Sequence, residues 1–445
     1  MRTIVATLAS AALAATLTQT AVPAVAAIET CRGEAATLVG TPQTRELTGT
    51  DGRDVIVTNG AYRTTALGGD DLVCVTGRNA MISGGTVYAG EGDDVVDATQ
   101  LSGSGASAQL GAGADRFEGS AERDFVWGGT EDPTTRQHVD TDRDVISAGP
   151  PTASVHEPDR VVSGQAGATN DDEVRMGRGT LLWAGLPGSE SVLDGGSASG
   201  LALRPAATEW VTVDNVTGTM AVDNRSLRFT GFRDFSVFAP AGPRSFTFRG
   251  SDRAESVSLE GFAAAQHRLA LGGGRDRVSV YATERRTVGK GTSYVGGAGR
   301  DTLELVLPDE ADVDLDLARG RLSTGRRAAE STVRARGFED SSVMAEDVEL
   351  VGTAGPNRLR TYACRSAVDG RGGRDTLSTF DEVMDEGLRC RAARARFSGG
   401  SGNDRLSGSR GRDRLVGGPG RDTVDGLEGR DTCQGERLRR CEVRR

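Results

Sequence analysis

Short apolar runs follow glycine-rich turns along most of the chain. Examples are Val55-Ile56-Val57, Leu72-Val73-Cys74 and Thr302-Leu303-Glu304-Leu305. Such runs, apolar throughout or alternating at period two, are typical of β-strands that are too short to be stable alone. They become stable when each strand pairs with its equivalent one coil away, which requires a parallel stack. The predicted fold is therefore all-β, a right-handed parallel β-solenoid of the β-roll or β-helix kind.

A nine-residue repeat is clearest near the C-terminus. Residues 399–434 divide into four consecutive units, GGSGNDRLS, GSRGRDRLV, GGPGRDTVD and GLEGRDTCQ. Gly occupies the first and fourth positions of each unit, Asp the sixth, and an apolar residue the eighth. The first six positions recur, some in looser or degenerate form, at 49–54, 66–71, 89–94, 110–115, 119–124, 271–276, 296–301, 352–357 and 370–375.

The strength of the repeat divides the chain into regions. It fades between about 175 and 265. We therefore predict an N-terminal solenoid over 27–175, degenerate solenoid rungs over 176–350, and a C-terminal repeat region over 351–445.

The spacing of the repeat predicts how its aspartates line up. Asp54, Asp71, Asp94 and Asp115 follow one another at steps of 17, 23 and 21 residues, which suits one full coil. They should therefore lie along a single edge. Near the C-terminus the step is nine residues, about half a coil, so alternate turns should line both edges. The predicted stacks there are Asp404 on Asp422 and Asp413 on Asp431.

Stacked aspartates favour a bound cation. Neighbouring strands lie about 4.8 Å apart, so equivalent carboxylates on successive coils are close enough to repel unless a cation lies between them. Calcium accepts about 6–8 oxygen ligands and combines carboxylates with backbone carbonyls. Glycines allow the turn to direct its carbonyls inward. The pattern therefore predicts calcium sites shared by neighbouring coils.

The nonapeptides resemble the haemolysin-type calcium-binding repeats of the repeats-in-toxin (RTX) family, whose pattern is G-G-x-G-x-D-x-U-x with U apolar. The resemblance implies a parallel β-roll filled with calcium ions, with ligands at the sixth position of each turn. Three turns also keep Asp or Asn at the fifth position, as the family often does. The implied metal ligands are Asp54, Asp70, Asp71, Asp93, Asp94, Asp115, Asp301, Asp375, Asn403, Asp404, Asp413, Asp422 and Asp431.

The fifth position departs from the family pattern in most turns, where it is Arg, as at Arg53, Arg300 and Arg374. An Arg beside an Asp is able to neutralise it without calcium. An Asp in such a turn is also able to cap its own loop by accepting backbone N–H groups. Two interpretations of each turn therefore stay open: a calcium ligand, or a structural cap.

The N-terminus and the cysteines indicate export. Residues 1–26 have a basic start, an apolar stretch and Ala24-Val25-Ala26, the pattern of a cleavable signal peptide. No later run reaches the roughly 18 apolar residues that span a bilayer. Six cysteines follow, which allow 15 disulfide pairings. Neighbour pairing is the simplest, namely Cys31–Cys74, Cys364–Cys390 and Cys433–Cys441; a zinc site is the alternative, although no two cysteines have its usual two-residue spacing.

Charge narrows the choice of partner. The chain carries a net charge of −10, and residues 28–172 hold 24 acidic residues against 10 Arg. An acidic half suits calcium ions and does not suit nucleic acid. Further partners that the sequence allows are a cell-surface polysaccharide and another protein.

Catalytic motifs are absent from the sequence. His138, His156 and His267 are the three histidines, none belongs to an H-E-x-x-H motif, and no Ser lies in G-x-S-x-G. We expect the histidines to lie in loops and the acidic residues Asp97, Asp140, Asp142 and Asp144 to serve turns or calcium. The favoured function is non-catalytic calcium binding with a structural or surface-interaction role. The alternative is a carbohydrate-active β-solenoid enzyme (a polysaccharide lyase, hydrolase or epimerase), which acids converging with Arg on a face away from the turns would favour.

Two segments of the middle region carry weaker patterns. Phe229, Phe232, Phe235 and Phe238 recur every three residues, as in a helix, but Gly231 and Pro240 favour solenoid rungs with the phenylalanines inside. An aromatic ligand groove is the alternative. Residues 308–348 are predicted to hold a loop or a short helix, with a strand at 313–317.

Overall fold

The computed structural model describes residues 28–79, 84–131, 138–150, 158–238, 243–261, 266–282, 291–307, 311–325, 331–379, 390 and 393–444. The predicted signal peptide, 1–26, lies outside the described residues.

Forty-seven strands are present, and they carry the regular structure of the described part of the chain. Strands β1–β18 are, in order, Thr30–Cys31, Glu34–Ala35, Leu38–Val39, Glu46–Thr48, Val55–Val57, Arg63–Gly68, Leu72–Cys74, Thr86–Glu91, Val95–Asp97, Ser107–Ala112, Arg116–Glu118, Phe125–Trp127, Thr130–Glu131, His138–Val139, Val145–Ser147, Asp159–Ser163, Thr169–Asn170 and Glu173–Arg175. Strands β19–β37 are Gly179–Ala184, Leu186–Pro187, Val192–Arg204, Trp210–Asp214, Thr219–Val222, Arg225–Phe238, Ser245–Arg249, Ser256–Glu260, Gln266–Ala270, Gly273–Gly274, Arg277–Tyr281, Ser293–Val295, Ala298–Gly299, Thr302–Val306, Asp312–Asp316, Arg321–Gly325, Ser331–Arg336, Asp340–Met344 and Asp347–Val351. Strands β38–β47 are Arg358–Tyr362, Arg365–Asp369, Thr376–Thr379, Arg394–Ser398, Arg405–Ser407, Arg414–Val416, Thr423–Asp425, Thr432–Gln434, Arg437–Arg439 and Val443–Arg444.

Parallel pairing between successive coils builds the fold. Thirty-nine strands form one continuous sheet, most of whose pairs are parallel. Val55 pairs with Leu72, and Leu72 with Val95, so one coil takes the 17 and 23 residues predicted from the repeat. In the C-terminal repeats Arg405 pairs with Thr423, so two nonapeptides make one coil. The predicted all-β parallel solenoid is confirmed, while the boundaries at 175 and 350 stay predictions.

The core is a column of apolar side chains in register. Val87 aligns with Ala108, and Ala108 with Val126. Pairing continues coil by coil until Leu406 aligns with Val424. These side chains are buried. Because each strand adds one or two inward side chains that stack on their equivalents, a chain with 4 % aromatic residues still buries a continuous core.

The phenylalanines of β24 lie in this core. Phe229, Phe232 and Phe235 are buried, and Phe229 makes edge contacts with both of the others. The predicted rungs with inward phenylalanines are therefore confirmed. Phe238 differs, because it is 44 % exposed and lies beneath Arg204.

Two predictions about local structure are wrong. The strand predicted at 313–317 is confirmed as β33, but the rest of 308–348, predicted as a loop or short helix, forms strands β34–β36 and the start of β37 among the described residues. Strands β33, β34 and β35 pair antiparallel as a three-stranded excursion that leaves the coil and returns. Leu315 and Leu322 face each other in it and are buried, which stabilises strands where the Ala-rich composition favoured helix. His267 is a core residue of β27, bonded to the Tyr294 hydroxyl, and not a loop residue.

Three disulfide bonds join Cys31 to Cys74, Cys364 to Cys390 and Cys433 to Cys441. Neighbour pairing is therefore confirmed. The Cys31–Cys74 bond packs with Val55, Val57 and Leu72 in a small cluster at the N-terminal end. Among the described residues, no helix has the length and apolar character to cross a membrane.

Candidate metal centre

Aspartates from successive coils form a hydrogen-bonded column along one edge. The Asp71 carboxylate accepts the backbone N–H of Asp54 at 2.7 Å, Asp94 accepts that of Asp71 at 2.8 Å, and Asp115 accepts that of Asp94 at 2.8 Å. Each residue immediately precedes a strand, so parallel pairing brings the four into register as predicted. We call such a column an aspartate ladder: each Oδ1 accepts the N–H of the equivalent residue one coil earlier.

The first ladder extends beyond the residues that the sequence predicted. Asp144 accepts the N–H of Asp115, and Asp172 accepts that of Asp144, both at 2.9 Å. Coils of 29 and 28 residues separate these positions, and the fourth-position glycine of the signature is missing from both turns. The repeat pattern therefore did not place them in the ladder, although Asp144 was among the acids expected to serve turns or calcium. Asp144 directly precedes the apolar Val145-Ile146, whereas Asp172 precedes Glu173-Val174-Arg175 and gives no such signal.

Four further ladders occupy the described part of the chain. Their carboxylates and amides link in the same direction, each member bonding to the next. In chain order they are Asp124–Asp159; Glu255–Asp276–Asp301–Glu339; Asn357–Asp375–Asp404–Asp422–Glu436; and Asp413–Asp431–Glu442. The predicted stacks of Asp404 on Asp422 and Asp413 on Asp431 are confirmed. Asp159 and Asp276 join the residues that the sequence prediction omitted.

The three fifth-position residues bond in the opposite direction. Asp70 accepts the N–H of Asp93, Asp93 accepts that of Ala114, and Asn403 accepts that of Arg421, each from the following coil. Their side chains are exposed. They hold adjacent turns together from outside while the ladders do so from inside.

The second oxygen of most ladder side chains divides their turns into two classes; Asp172, Glu339, Glu436 and Glu442 belong to neither. In the first class the turn satisfies it internally. The N–H of Thr50 reaches Asp54 Oδ2 at 2.7 Å, and that of Ser409 reaches Asp413 Oδ2 at 2.5 Å, with the hydroxyl groups also bonded to these carboxylates. Ser120, Ser251 and Thr353 cap Asp124, Glu255 and Asn357 in the same way. We call these closed turns; their second position is always Ser or Thr.

In the second class, the open turns, Oδ2 is buried and receives no hydrogen bond from the described atoms of the protein. Where an open turn follows the repeat, its second position has left-handed backbone, as at Gly90 (φ 126°), Gly400 (φ 89°) and Gly418 (φ 106°). Its N–H then does not cap the carboxylate. The open carboxylates are Asp71, Asp94, Asp115, Asp144, Asp159, Asp276, Asp301, Asp375, Asp404, Asp422 and Asp431.

Open and closed turns follow a fixed order. Each of the five ladders begins with a closed side chain, and every open carboxylate lies further along its ladder. An open carboxylate therefore always has another ladder residue on the preceding coil. A buried acceptor with no partner costs about 1–3 kcal/mol. Eleven such acceptors, all placed between two rungs, indicate a ligand that neighbouring coils share.

The pKa directions distinguish several open carboxylates from the closed Asp54, although burial also raises the pKa of the closed Asp124. Burial raises the pKa of Asp94 to about 8, with the charges of Asp115 and Asp71 adding to the rise. Burial also raises the pKa of Asp375 to about 7, again with help from its ladder neighbour. At the closed turn, burial acts to raise the pKa of Asp54, but hydrogen bonds from its turn lower it below its usual value. Open carboxylates therefore favour a proton or a cation.

The fifth-position arginines Arg300 and Arg53 do not form ion pairs with the aspartates of their own turns, because each pairs with another acid. Arg300 bonds to both carboxylate oxygens of Asp340, at 2.7 and 2.8 Å, and Arg53 bonds to Glu34. Burial still raises the pKa of Asp301, beside Arg300. The fifth-position arginines at these two turns thus pair with other acids.

The first glycine of the repeat makes room for the carboxylate. A Cβ on Gly417 would lie 2.3 Å from Asp422 Oδ2, and one on Gly399 would lie 2.5 Å from Asp404 Oδ2. At these two turns a side chain would displace the oxygen. Other open turns do not need this glycine, because Ala66, Ala89, Leu110 and Leu271 stand at the same position before Asp71, Asp94, Asp115 and Asp276.

The donor set fits calcium. Ladder carboxylates and turn carbonyls are all hard oxygen ligands, which suit calcium and lack the nitrogen or sulfur that zinc and copper prefer. One coil supplies too few oxygens for 6–8-fold coordination, and two neighbouring coils supply more.

A family model described as RTX calcium-binding nonapeptide repeat, in 4 copies, matches residues 110–132 and 398–433. The second range contains the Asp404, Asp413, Asp422 and Asp431 turns. A search of curated proteins gave no match.

Proposed function

Because the chain carries RTX calcium-binding nonapeptide repeats, we propose that it is a secreted, non-catalytic calcium-binding β-solenoid whose open turns hold ions between successive coils. The observation that carries the proposal is the set of eleven buried carboxylate oxygens without a protein partner, each beside an earlier rung. Calcium there would satisfy the oxygens and join adjacent coils, which gives the ion a structural role. Three disulfides fit an oxidising compartment outside the cell.

The proposal assigns different roles to the thirteen predicted ligands. Asp54 and Asp413 are structural caps, because protein groups satisfy both of their oxygens: Thr50 and Thr37 bond to Asp54, and Ser409 and the N–H of Ala395 bond to Asp413. Asp70, Asp93 and Asn403 join turns from outside and add oxygen ligands at the rim. Direct carboxylate ligands are Asp71, Asp94, Asp115, Asp301, Asp375, Asp404, Asp422 and Asp431, to which we add Asp159 and Asp276.

Two neighbouring repeats provide a matched test of open against closed turns. Asp422→Asn and Asp413→Asn each remove one buried charge from the same block, and each Asn keeps an oxygen to accept the N–H from the preceding coil. We expect Asp422→Asn to reduce the number of calcium ions bound by at least one. Asp413→Asn should leave the number unchanged and lower the free energy of unfolding by about 1 kcal/mol, through the weakened cap. Native mass spectrometry and calorimetric titration measure the number, and equal losses in both variants would refute the assignment.

The converse substitution checks that the second position decides the class. Ser409→Gly removes the cap of Asp413 and gives GGRGRD, the pattern of the open turn at 417–422. We expect this variant to bind more calcium than the native protein, in the same titration. An unchanged number would mean that the second position is not sufficient, and that the ladder residue of the preceding coil, where Asp413 has Ala395, is also required.

A groove on one sheet face favours a second candidate function, carbohydrate binding or cleavage. It measures about 370 Å³ and lies across β33, β37, β39 and β41. Asp314, Glu349 and Asp347 line it together with Arg365 and Arg396. Acids beside arginines suit an acidic sugar chain, and Arg365 pairs with Asp347 within the groove. A screen of acidic polysaccharides for depolymerisation, repeated with Glu349→Gln, tests this function independently of calcium stoichiometry.

A further inference from the structure

Three aspartates outside the matched repeats converge where the first ladder leaves the repeat pattern. Asp140 follows β14, Asp144 precedes β15, and Asp172 precedes β18. One carboxylate oxygen of each lies within 4.8 Å of those of the other two. All three are buried, with 5 %, 1 % and 0 % of their surface exposed.

Protein groups orient all three carboxylates but leave one oxygen unsatisfied. Asp140 Oδ2 accepts the N–H of Gly164 at 2.8 Å. Asp172 accepts the N–H of Asp144 at 2.9 Å and the Ser163 hydroxyl at 2.6 Å. Asp144 Oδ1 accepts the N–H of Asp115, whereas its Oδ2 is buried without a hydrogen-bond partner.

Gly128 shows where that oxygen points. A Cβ at this position would lie 2.4 Å from Asp140 Oδ2 and 2.7 Å from Asp144 Oδ2. Both oxygens therefore face the same small space against the Gly128 backbone. Burial raises the pKa of Asp144, and the charges of Asp172, Asp140 and Asp115 raise it further. Together the three carboxylates are a strong local concentration of negative charge.

We propose that Asp140, Asp144 and Asp172 form a three-carboxylate calcium site that binds its ion more tightly than any open turn of the repeats. Affinity for calcium rises with the number of charged ligands and the rigidity of the site. An open turn offers its own carboxylate and the preceding rung, whereas this cluster adds a third carboxylate from the Asp140 loop, held by Gly164. The inference rests on the proposed function, since it assigns the first ion that the solenoid takes up.

Stepwise titration of the calcium-free, full-length protein tests the site. We expect Asp144→Asn to weaken the first binding step roughly tenfold or more. Asp140→Asn should do the same while leaving the ladder itself intact, which covers the case in which Asp144→Asn fails to fold. The matched control is Asp142→Asn, which removes an exposed acid from the same loop and should leave the first step unchanged. Terbium, a hard cation that replaces calcium, provides a luminescent readout of the same step.

The possible results distinguish a failure of the three-carboxylate site from a failure of the proposed function. If Asp140→Asn and Asp144→Asn leave the first step unchanged while Asp422→Asn lowers the number of ions, the three-carboxylate site is refuted and the proposed function stands. If Asp142→Asn weakens the first step as much as Asp140→Asn does, general loss of negative charge explains the effect and the site is again refuted. A native protein that takes up no calcium refutes both proposals.

Discussion

Calcium removal at pH 8 is expected to unfold the C-terminal repeats while the N-terminal coils keep their structure. Strands β42–β45 have three residues each, and each contributes one buried apolar side chain: Leu406, Leu415, Val424 and Cys433. By contrast, β6, β8 and β10 have six residues each and pair over a longer register. The stability of the C-terminal block therefore depends most on the interactions in its turns.

The size of the effect follows from mass action. An ion held at a hundred times its dissociation constant stabilises the folded state by about 2.7 kcal/mol. The four open carboxylates Asp375, Asp404, Asp422 and Asp431, if each held an ion independently, would contribute about 11 kcal/mol. Whole domains are stable by about 5–15 kcal/mol. Losing this contribution is enough to unfold the region.

Trypsin provides a regional readout. Arg405, Arg412 and Arg414 are exposed on the rungs of this block. We expect chelator to expose the 399–434 segment to rapid cleavage, together with a loss of β signal in circular dichroism. Magnesium should not restore protection, because it requires tight octahedral geometry. Identical cleavage and spectra with excess calcium and with excess chelator would contradict a structural role for the ion.

The sequence predicted the ladders wherever the repeat is regular. In a solenoid, the number of residues between repeats fixes which residues pair on neighbouring coils. Aspartates one coil apart, such as Asp404 and Asp422, must stack if their strands pair. The ladder positions of Asp144 and Asp159 were not predicted, because long excursions, including the β13–β14 hairpin, change the coil length and remove the glycines. Their register depends on pairing of β15 and β16 with earlier strands, which no local motif encodes.

The sequence did not predict which turns are open and which are closed, although the residue at the second position of the turn decides it. In the sequence, nothing distinguishes Thr50 and Ser409 from other residues of a glycine-rich turn. The structure shows that their N–H and hydroxyl groups bond to the carboxylate of the turn. The two interpretations that the sequence left open, cap and ligand, both occur in the geometry, at different turns. The Asp140 cluster needed two coils to meet, with Asp140 and Asp144 before β15 and Asp172 before β18. The sequence predicted only that acids around Asp140 serve turns or calcium.

The calcium effect is expected to depend steeply on pH. Without calcium, burial raises the pKa of Asp94 to about 8, and that of Asp115 and Asp375 to about 7. An unfolded Asp has a pKa near 3.9. The folded protein therefore binds more protons than the unfolded chain between about pH 4 and pH 8, so its stability falls as pH rises through this window. Calcium replaces these protons, so the calcium-bound protein should lose little stability over the same range.

Thermal unfolding of calcium-free and calcium-saturated protein from pH 5 to pH 9 measures this difference. We expect the two curves to lie closest at pH 5 and their separation to grow by on the order of 5 kcal/mol between pH 5 and pH 8, after allowance for screening between rungs. Asp94→Asn should flatten the calcium-free curve, because it removes the group with the highest of these pKa values. Asp54→Asn should not flatten it, because hydrogen bonds lower the pKa of Asp54 in its closed turn. A calcium-free protein whose stability stays level or rises from pH 5 to pH 8 would mean that the open carboxylates are ionised without any cation, and the physical reason for calcium binding would be lost.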